Sequence, residues 1–262
     1  MDLGLRGKAC IVTGASKGIG AEIARAFIEE GASVALIARH REPLEEVAKK
    51  LRALGGTVFV VTTDLATEDG GTRGIQQAAA ELGRIDILVN NAGSSPLGSF
   101  DKVSDQEWMD TFALKPMGYV RTIRAALPFM RAQKKGRIVN VVGAGGRWAV
   151  AEYVMGCMNA TVLHLTKSLG ELLAPEGITV TAINPGPTGP TERFDRIMTA
   201  WAQHLGLPEE EFRRKYERDL PLRRIASTTE VARMVVLMAS DVTAYATGGA
   251  LQADGASARG VF

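Results

Sequence analysis

Short apolar runs rich in Val and Ile recur along the whole chain, and segments with helical periodicity separate them. The runs lie at residues 8–13, 33–38, 57–62, 85–90, 137–142, 178–183 and 250–252. Because they are apolar almost continuously, they are typical of parallel strands that are covered on both faces. The segments at 20–30, 43–54, 67–82, 118–133 and 160–174 carry apolar residues at three- and four-residue steps. This alternation predicts an α/β fold with a doubly wound, Rossmann-type parallel sheet of about seven strands and helices on both faces.

The chain is expected to form one domain over residues 1–262, because no linker, low-complexity tract or internal repeat interrupts the alternation. An irregular stretch at about 187–222 follows the sixth apolar run. It carries the apolar residues Phe194, Met198, Trp201 and Leu205 among charged ones. A long insertion at the carboxyl edge of a sheet is often a substrate cover, so we interpret this stretch as a lid. The alternative is a helical hairpin that only packs on the domain.

Charge and cysteine content exclude several classes of function. The formal net charge is +2, and the basic residues are spread along the chain, which argues against a nucleic-acid footprint. No uncharged run reaches the length of a membrane span, and the N-terminus lacks the apolar core of a signal peptide, so a cytoplasmic protein without a membrane partner is expected. Cys10 and Cys157 have no paired spacing, which argues against a disulfide scaffold or a zinc site.

A glycine-rich turn with the sequence TGASKGIG follows the first apolar run, at residues 13–20. Glycines at such a turn let the backbone approach a pyrophosphate, and the helix that follows offers free N–H groups. The position between a strand and a helix predicts a dinucleotide site. Its candidate residues are Gly14, Ser16, Lys17, Gly18, Ile19 and Gly20.

Three further motifs occur after the third, fourth and sixth runs: Asp64-Leu65, Asn90-Asn91-Ala92-Gly93 and Asn184-Pro185-Gly186. With TGASKGIG, their order and spacing resemble the short-chain dehydrogenase/reductase family over nearly the whole chain. The resemblance implies a nicotinamide cofactor, a small-molecule substrate and a homodimer or homotetramer. It also implies positions around the cofactor: Asp64 and Leu65 beside the adenine, Asn91, Ala92 and Gly93 along the cleft, and Pro185, Gly186 and Thr188 or Thr191 beside the nicotinamide.

The end of the second run favours NADP over NAD. A carboxylate there would bind the ribose 2′-hydroxyl of NAD, but the chain has Ala38 followed by Arg39. Arg39 and Lys17 could pair with the 2′-phosphate of NADP. The alternative is that Arg39 is simply a solvent-exposed residue at the start of the next helix.

The catalytic positions depart from the family pattern of Ser, Tyr, Lys and a helper Asn. Counting from flanking motifs places Gly143 at the serine position, Met155 at the tyrosine position, Asn159 at the lysine position and Lys115 at the helper-asparagine position. Lys115 and Asn159 therefore look like a reciprocal exchange between two positions that lie close together in the family.

Tyr153 lies two residues before the expected tyrosine, which resembles the enoyl-reductase branch of the family. We hypothesise that Lys115 and Tyr153 form the proton-transfer pair and that Asn159 binds the ribose. The alternatives are that Lys115 is a surface lysine and that Tyr153 is an aromatic residue at the rim of the site that packs on the lid.

The sequence thus favours an NADP(H)-dependent oxidoreductase that acts on a carbonyl, an alcohol or an activated C=C bond. Two alternatives stay open: a non-catalytic NADP-binding protein, such as a sensor or partner subunit, and a lyase or isomerase on the same fold. The apolar residues of the lid suggest an apolar substrate, although the same residues could serve lid packing.

Overall fold

The computed structural model describes residues 1–98, 100–148 and 153–258, and for Tyr153 it describes the backbone alone. Within these ranges seven strands form one sheet in which all neighbours are parallel, in the order β3-β2-β1-β4-β5-β6-β9. They are β1 (Ala9–Thr13), β2 (Ser33–Ala38), β3 (Val58–Thr62), β4 (Ile87–Asn90), β5 (Gly136–Val141), β6 (Ile178–Pro185) and β9 (Ala250–Ala253). The predicted doubly wound sheet is therefore confirmed.

The helices in these ranges number nine, besides short 3-10 turns. They are α1 (Gly18–Glu29), α2 (Arg41–Ala53), α3 (Gly70–Leu82), α4 (Asp105–Leu114), α5 (Pro116–Gln133), α6 (Tyr153–Leu173), α7 (Glu192–Leu205), α8 (Glu209–Asp219) and α9 (Thr228–Ala239). Helices α1, α2 and α9 pack on one face of the sheet, while α3, α5 and α6 pack on the other. In the described part of the chain, no helix has the length and apolarity that a membrane crossing would require.

Both faces of the central strands are buried, which explains their continuous apolar runs. On β1, Cys10 and Val12 pack toward α1, whereas Ile11 packs toward α3 and α5. Successive side chains of a strand point to opposite faces, so a sheet with two covered faces needs apolar residues at every position.

Two helices were not predicted from the apolar periodicity, namely α4 and α9. Each begins with a capping box, Ser104 with Glu107 and Ser227 with Glu230, in which the hydroxyl and the carboxylate bind each other's backbone N–H. A serine followed three residues later by glutamate marks a helix start. That spacing was the signal in the sequence for both helices.

The irregular stretch at 187–222 contains the two-residue strand β7 (Thr188–Gly189) and helices α7 and α8, and β7 pairs with β8 (Ala226–Ser227). Phe194 and Met198 of α7 pack against Phe212 of α8 in a separate apolar cluster. The two side chains therefore serve the packing of this hairpin, one of the two alternatives for these apolar residues. The function of the stretch as a lid stays a prediction.

The order of the strands places β1 beside β4, although β2 and β3 lie between them in sequence. In a doubly wound sheet the crevice at the carboxyl ends of two such strands is where ligands bind. The segments that follow β1, β4, β5 and β6 all reach this edge, and they carry the motifs singled out above.

Candidate active site

Steric demands explain the glycines of the turn between β1 and α1. Gly14 has a φ of +65°, and a β-carbon there would lie 2.9 Å from Cα of Ala92. A β-carbon on Gly20 would lie 2.2 Å from the carbonyl oxygen of Gly14. Gly18, at the start of α1, has a φ of +55°. The turn therefore tolerates no side chain at the two positions where it folds back on itself and on the segment after β4.

Asn91 fastens this turn to the end of β4. Its Nδ2 donates to the carbonyl oxygens of Thr13 and Gly14, at 3.1 and 3.2 Å. The hydroxyl of Thr13 accepts from the backbone N–H groups of Asn91 and Ala92, at 2.9 and 3.2 Å. These bonds hold the turn open beside α1, whose N-terminus receives no side-chain cap. The first N–H groups of α1 are thus left for an anionic ligand.

One of the two predicted phosphate-binding cations lies at the carboxyl end of β2. Arg39 is exposed directly after β2. Asp64, after β3, is half-buried and accepts from the backbone N–H of Ala66 at 2.9 Å, while Leu65 is buried in the core. Lys17, the second predicted cation, forms an ion pair with Glu192 at the start of α7. The glycine-rich turn and α7 are therefore linked across the crevice.

A chain of buried polar side chains, which sequence reasoning missed, fixes the ends of β4 and β5. The hydroxyl of Thr122 donates to Oδ1 of Asn90 at 2.7 Å, and Asn90 Nδ2 donates to Asn140 Oδ1 at 3.1 Å. Asn140 Nδ2 donates in turn to the hydroxyl of Thr166 at 3.0 Å. Because each buried group has a partner, the chain joins α5, β4, β5 and α6 without an unpaired polar atom along these bonds.

Lys115, at the junction of α4 and α5, is buried at the wall of the crevice. Its Nζ donates to the carbonyl oxygen of Val142 at 2.7 Å and lies 5.9 Å from the ring centroid of Tyr119. A β-carbon on Gly93 would be 3.7 Å from this Nζ, so the ammonium borders the segment after β4. Burial, and secondly the charge of Arg193, lower the pKa of Lys115 from 10.5 to about 7. The lysine can therefore exchange a proton near neutral pH, and the alternative of a surface lysine is wrong.

Asn159 on α6 lies beside Gly143, the residue after the Val142 whose carbonyl oxygen accepts from Lys115. It is buried, and its Oδ1 has no hydrogen-bond partner among the residues that the structure describes. A buried amide oxygen without a donor is costly, which indicates that a ligand or water supplies one.

Gly143, at the expected serine position, can only be glycine in this arrangement. Its φ is +121°, and a β-carbon there would lie 2.9 Å from Nδ2 of Asn159. The amide of Asn159 therefore occupies the space that a serine side chain at position 143 would need.

Met155, at the expected tyrosine position, lies in an apolar cluster with Trp108 and Phe112 of α4. The place thus holds an apolar thioether, which cannot donate a proton. Tyr153 begins α6, but its side chain lies outside what the structure describes, so its predicted part in proton transfer stays a prediction.

The segment after β6 closes the other side of the crevice. Beyond Pro185, a β-carbon on Gly186 would lie 2.7 Å from Cα of Asp254, and the hydroxyl of Thr188 donates to the carbonyl oxygen of Gly186 at 2.9 Å. Thr191 caps α7 by accepting from the N–H of Phe194 at 3.1 Å. Thr188 is buried, and its predicted place beside the nicotinamide stays a prediction.

Sequence reasoning missed two further residues at the crevice, Ser95 and Arg193. The guanidinium of Arg193, in the first turn of α7, donates to the hydroxyl of Ser95 at 3.3 Å. The motif after β4 could have pointed to Ser95, which follows Gly93 by two residues, but nothing in the local sequence marks Arg193.

Two histidines and a cysteine on α6 and α7 are exposed. His164 is exposed on α6, and His204 is exposed on α7 with its ring 5.7 Å from that of Trp201. Cys157 is an exposed free cysteine. Among the described residues no group of three His, Cys, Asp or Glu side chains could hold a metal ion.

Comparisons with known proteins agree with this geometry. A family model described as short chain dehydrogenase matches residues 8–200. The chain is 34% identical to the uncharacterized oxidoreductase YvrD of Bacillus subtilis, over 97% of this chain and 98% of that protein. It is also 34% identical to the 3-oxoacyl-(acyl-carrier-protein) reductase FabG of Staphylococcus aureus, over 95% and 97% of the two chains. The structure of L-sorbose reductase from Gluconobacter frateurii, complexed with NADPH and L-sorbose, superposes with a TM-score of 0.93, at 30% identity and over 100% of both chains.

Proposed function

This chain belongs to the short-chain dehydrogenase/reductase family, and from that premise we propose that it is an NADP(H)-dependent carbonyl reductase whose proton donor is Lys115. The NADPH-bound L-sorbose reductase supports the choice of cofactor. The observation that carries the proposal is the buried ammonium beside Gly93, with a pKa of about 7, on a wall where the family has an asparagine.

The residues of the crevice fit a dinucleotide phosphate. The uncapped N-terminus of α1 suits the pyrophosphate, and the exposed Arg39 suits the 2′-phosphate of NADP. The buried Oδ1 of Asn159, which lacks a donor among the described residues, suits a ribose hydroxyl. When bound, NADPH supplies the hydride for the reduction.

Lys115 then acts as the proton donor. Its ammonium polarises the carbonyl of the substrate and transfers a proton to the oxygen as the carbon gains the hydride, which yields the alcohol. The neutral amine regains its proton from water. In the reverse direction the amine accepts the proton of the alcohol. The hydrogen bond to the carbonyl oxygen of Val142 holds Nζ in place in both directions of the reaction.

Two roles are proposed for side chains that the family does not use in this way. Asn159 replaces the lysine as the ribose-binding residue, and Tyr153 assists Lys115 as its partner in proton transfer. As in the family, we expect a homodimer or homotetramer built on α5 and α6.

The test follows the absorbance of NADPH with the purified protein across ketones, quinones and enones, for the wild type and for Lys115→Ala, Tyr153→Phe and the double variant. Lys50→Ala, on the exposed surface of α2, is the matched control. We expect turnover that Lys115→Ala lowers by at least about 100-fold. Turnover that survives in the double variant would refute the proton-transfer role.

A protein that binds NADPH but oxidises none of it with any of these compounds would instead support the alternative of a non-catalytic NADP-binding protein. Direct titration of NADPH binding by fluorescence distinguishes this outcome from failure to bind.

A further inference from the structure

The hydroxyl of Ser95, on the segment after β4, is buried and has an incomplete set of hydrogen bonds. The side chain is only 5% exposed. Its oxygen accepts a hydrogen bond from the guanidinium of Arg193, in the first turn of α7, at 3.3 Å. Among the residues that the structure describes, nothing accepts the hydrogen of this hydroxyl. Buried hydroxyls in proteins usually donate a hydrogen bond as well, so Ser95 has a donor to offer to a ligand.

Lys115 borders the same segment from the junction of α4 and α5. Its Nζ would lie 3.7 Å from a β-carbon on Gly93, two residues before Ser95. Arg193, which bonds Ser95, is also close enough for its charge to lower the pKa of Lys115. Of the three hydrogens of the ammonium, one bonds the carbonyl oxygen of Val142. A hydroxyl and an ammonium therefore lie in the same part of the crevice, each with a hydrogen to donate.

Reduction of a carbonyl requires hydrogen-bond donors at its oxygen. As the carbon receives the hydride, the oxygen gains negative charge, and each of its lone pairs can accept a hydrogen bond. Donors that are held in place in a site without bulk water stabilise this charge more than water does. Lys115 supplies one donor and loses its proton in the step. Gly143 and Met155, at the positions where the family has hydroxyl groups, supply none.

The hydrogen bond from Arg193 makes Ser95 suitable as a second donor. A charged donor polarises the hydroxyl that accepts from it, and this strengthens the hydroxyl as a donor in its turn. The same bond occupies one lone pair of Ser95 and leaves its hydrogen for another acceptor. Ser95 is therefore a better donor than it would be without this bond.

We infer, on the basis of the proposed function, that Ser95 is a further catalytic residue, whose hydroxyl donates a hydrogen bond to the carbonyl oxygen that Lys115 protonates. The hydride moves from NADPH to the carbonyl carbon, and the proton moves from Nζ of Lys115 to the oxygen as the second bond between carbon and oxygen breaks. Ser95 keeps its own hydrogen throughout and stabilises the negative charge that develops on the oxygen.

The experiment measures single-turnover hydride transfer from bound NADPH to a series of para-substituted acetophenones, from nitro to methoxy. The variants are Ser95→Ala, which removes the hydroxyl, and Ser95→Thr, which keeps it. Ser94→Ala is the matched control, because Ser94 is the exposed neighbour in the chain. The readouts are the rate for each ketone, the dependence of that rate on the electron-withdrawing power of the substituent, and the Kd of NADPH by fluorescence titration.

We expect Ser95→Ala to lower the rate for the methoxy ketone by about 100-fold and to leave the NADPH Kd within about threefold of the wild type. The loss should be smaller for the nitro ketone, because its substituent already stabilises charge on the oxygen. Ser95→Thr should recover most of the rate, and Ser94→Ala should change nothing. An unchanged rate in Ser95→Ala, an equal loss for every ketone, or a weakened NADPH Kd would overturn the inference.

Failure of the proposed function is recognised separately. If the wild type transfers hydride to none of the ketones, infrared spectroscopy of carbonyl-labelled acetophenone on the NADP⁺-loaded protein decides, because a hydrogen bond lowers the stretching frequency of a carbonyl. A lower frequency in the wild type and Ser94→Ala than in Ser95→Ala supports Ser95 as the donor without turnover. The same frequency in all three proteins, or no bound acetophenone, rules it out.

Discussion

The pH dependence of carbonyl reduction follows from the burial of Lys115. Its pKa of about 7 means that about nine-tenths of the side chain is protonated at pH 6 and about one-tenth at pH 8. Reduction needs the ammonium, so kcat/KM should fall by about tenfold between these pH values. Oxidation of the alcohol needs the neutral amine and should rise over the same range. The assay is the initial rate of NADPH oxidation from pH 5.5 to 9, in buffers of constant ionic strength.

Lys115→Arg provides the control, because a guanidinium keeps its charge at these pH values. This variant should lose most of its activity and also lose the inflection near pH 7, whereas Lys50→Ala should keep the wild-type profile. A wild-type profile that is flat up to pH 9 would refute the reasoning, as would an inflection that persists in Lys115→Arg.

Three further predictions concern the crevice. Gly143→Ser should lower the free energy of unfolding by about 1–3 kcal/mol in urea titrations, because the backbone has a φ of +121° and the new β-carbon would meet the amide of Asn159; an unchanged midpoint would contradict this. Arg39→Ala should weaken NADPH binding by about 10- to 100-fold and leave NADH binding unchanged, and an equal loss for both would show that Arg39 does not contact the 2′-phosphate. Glu192→Gln releases Lys17 from its ion pair, so it should strengthen NADPH binding by about two- to fivefold at low salt; weaker binding would argue against a role of Lys17 at the phosphates.

The fold could be predicted from the sequence, because a sheet that is covered on both faces requires continuous apolar runs in its strands. The strands of β1, β2 and β5 were predicted to within about one residue at either end. The glycine-rich turn could also be predicted, because the close contact that requires glycine at position 20 is made within the turn itself, with the carbonyl oxygen of Gly14.

The candidate active site could be predicted only in part, because it depends on contacts between distant segments. Counting from motifs paired Lys115 with Asn159, but it gave no sign that the amide of Asn159 forces glycine at position 143. Arg193 and Ser95 are 98 residues apart, and only the fold of α7 over the crevice brings them together. Met155 was recognised as a departure from the family, but its role in packing against α4 required the structure.

The measurement that tests the central claim most directly is a single turnover of hydride transfer by stopped-flow absorbance. Wild type and Lys115→Met, each saturated with NADPH, are mixed with the best carbonyl substrate, and the NADPH Kd of both is determined in parallel. We predict rapid oxidation of the bound NADPH in the wild type and a rate at least about 100-fold lower in Lys115→Met, with Kd values within threefold. Equal rates in the two proteins would contradict the account, as would a wild type that holds NADPH without oxidising it.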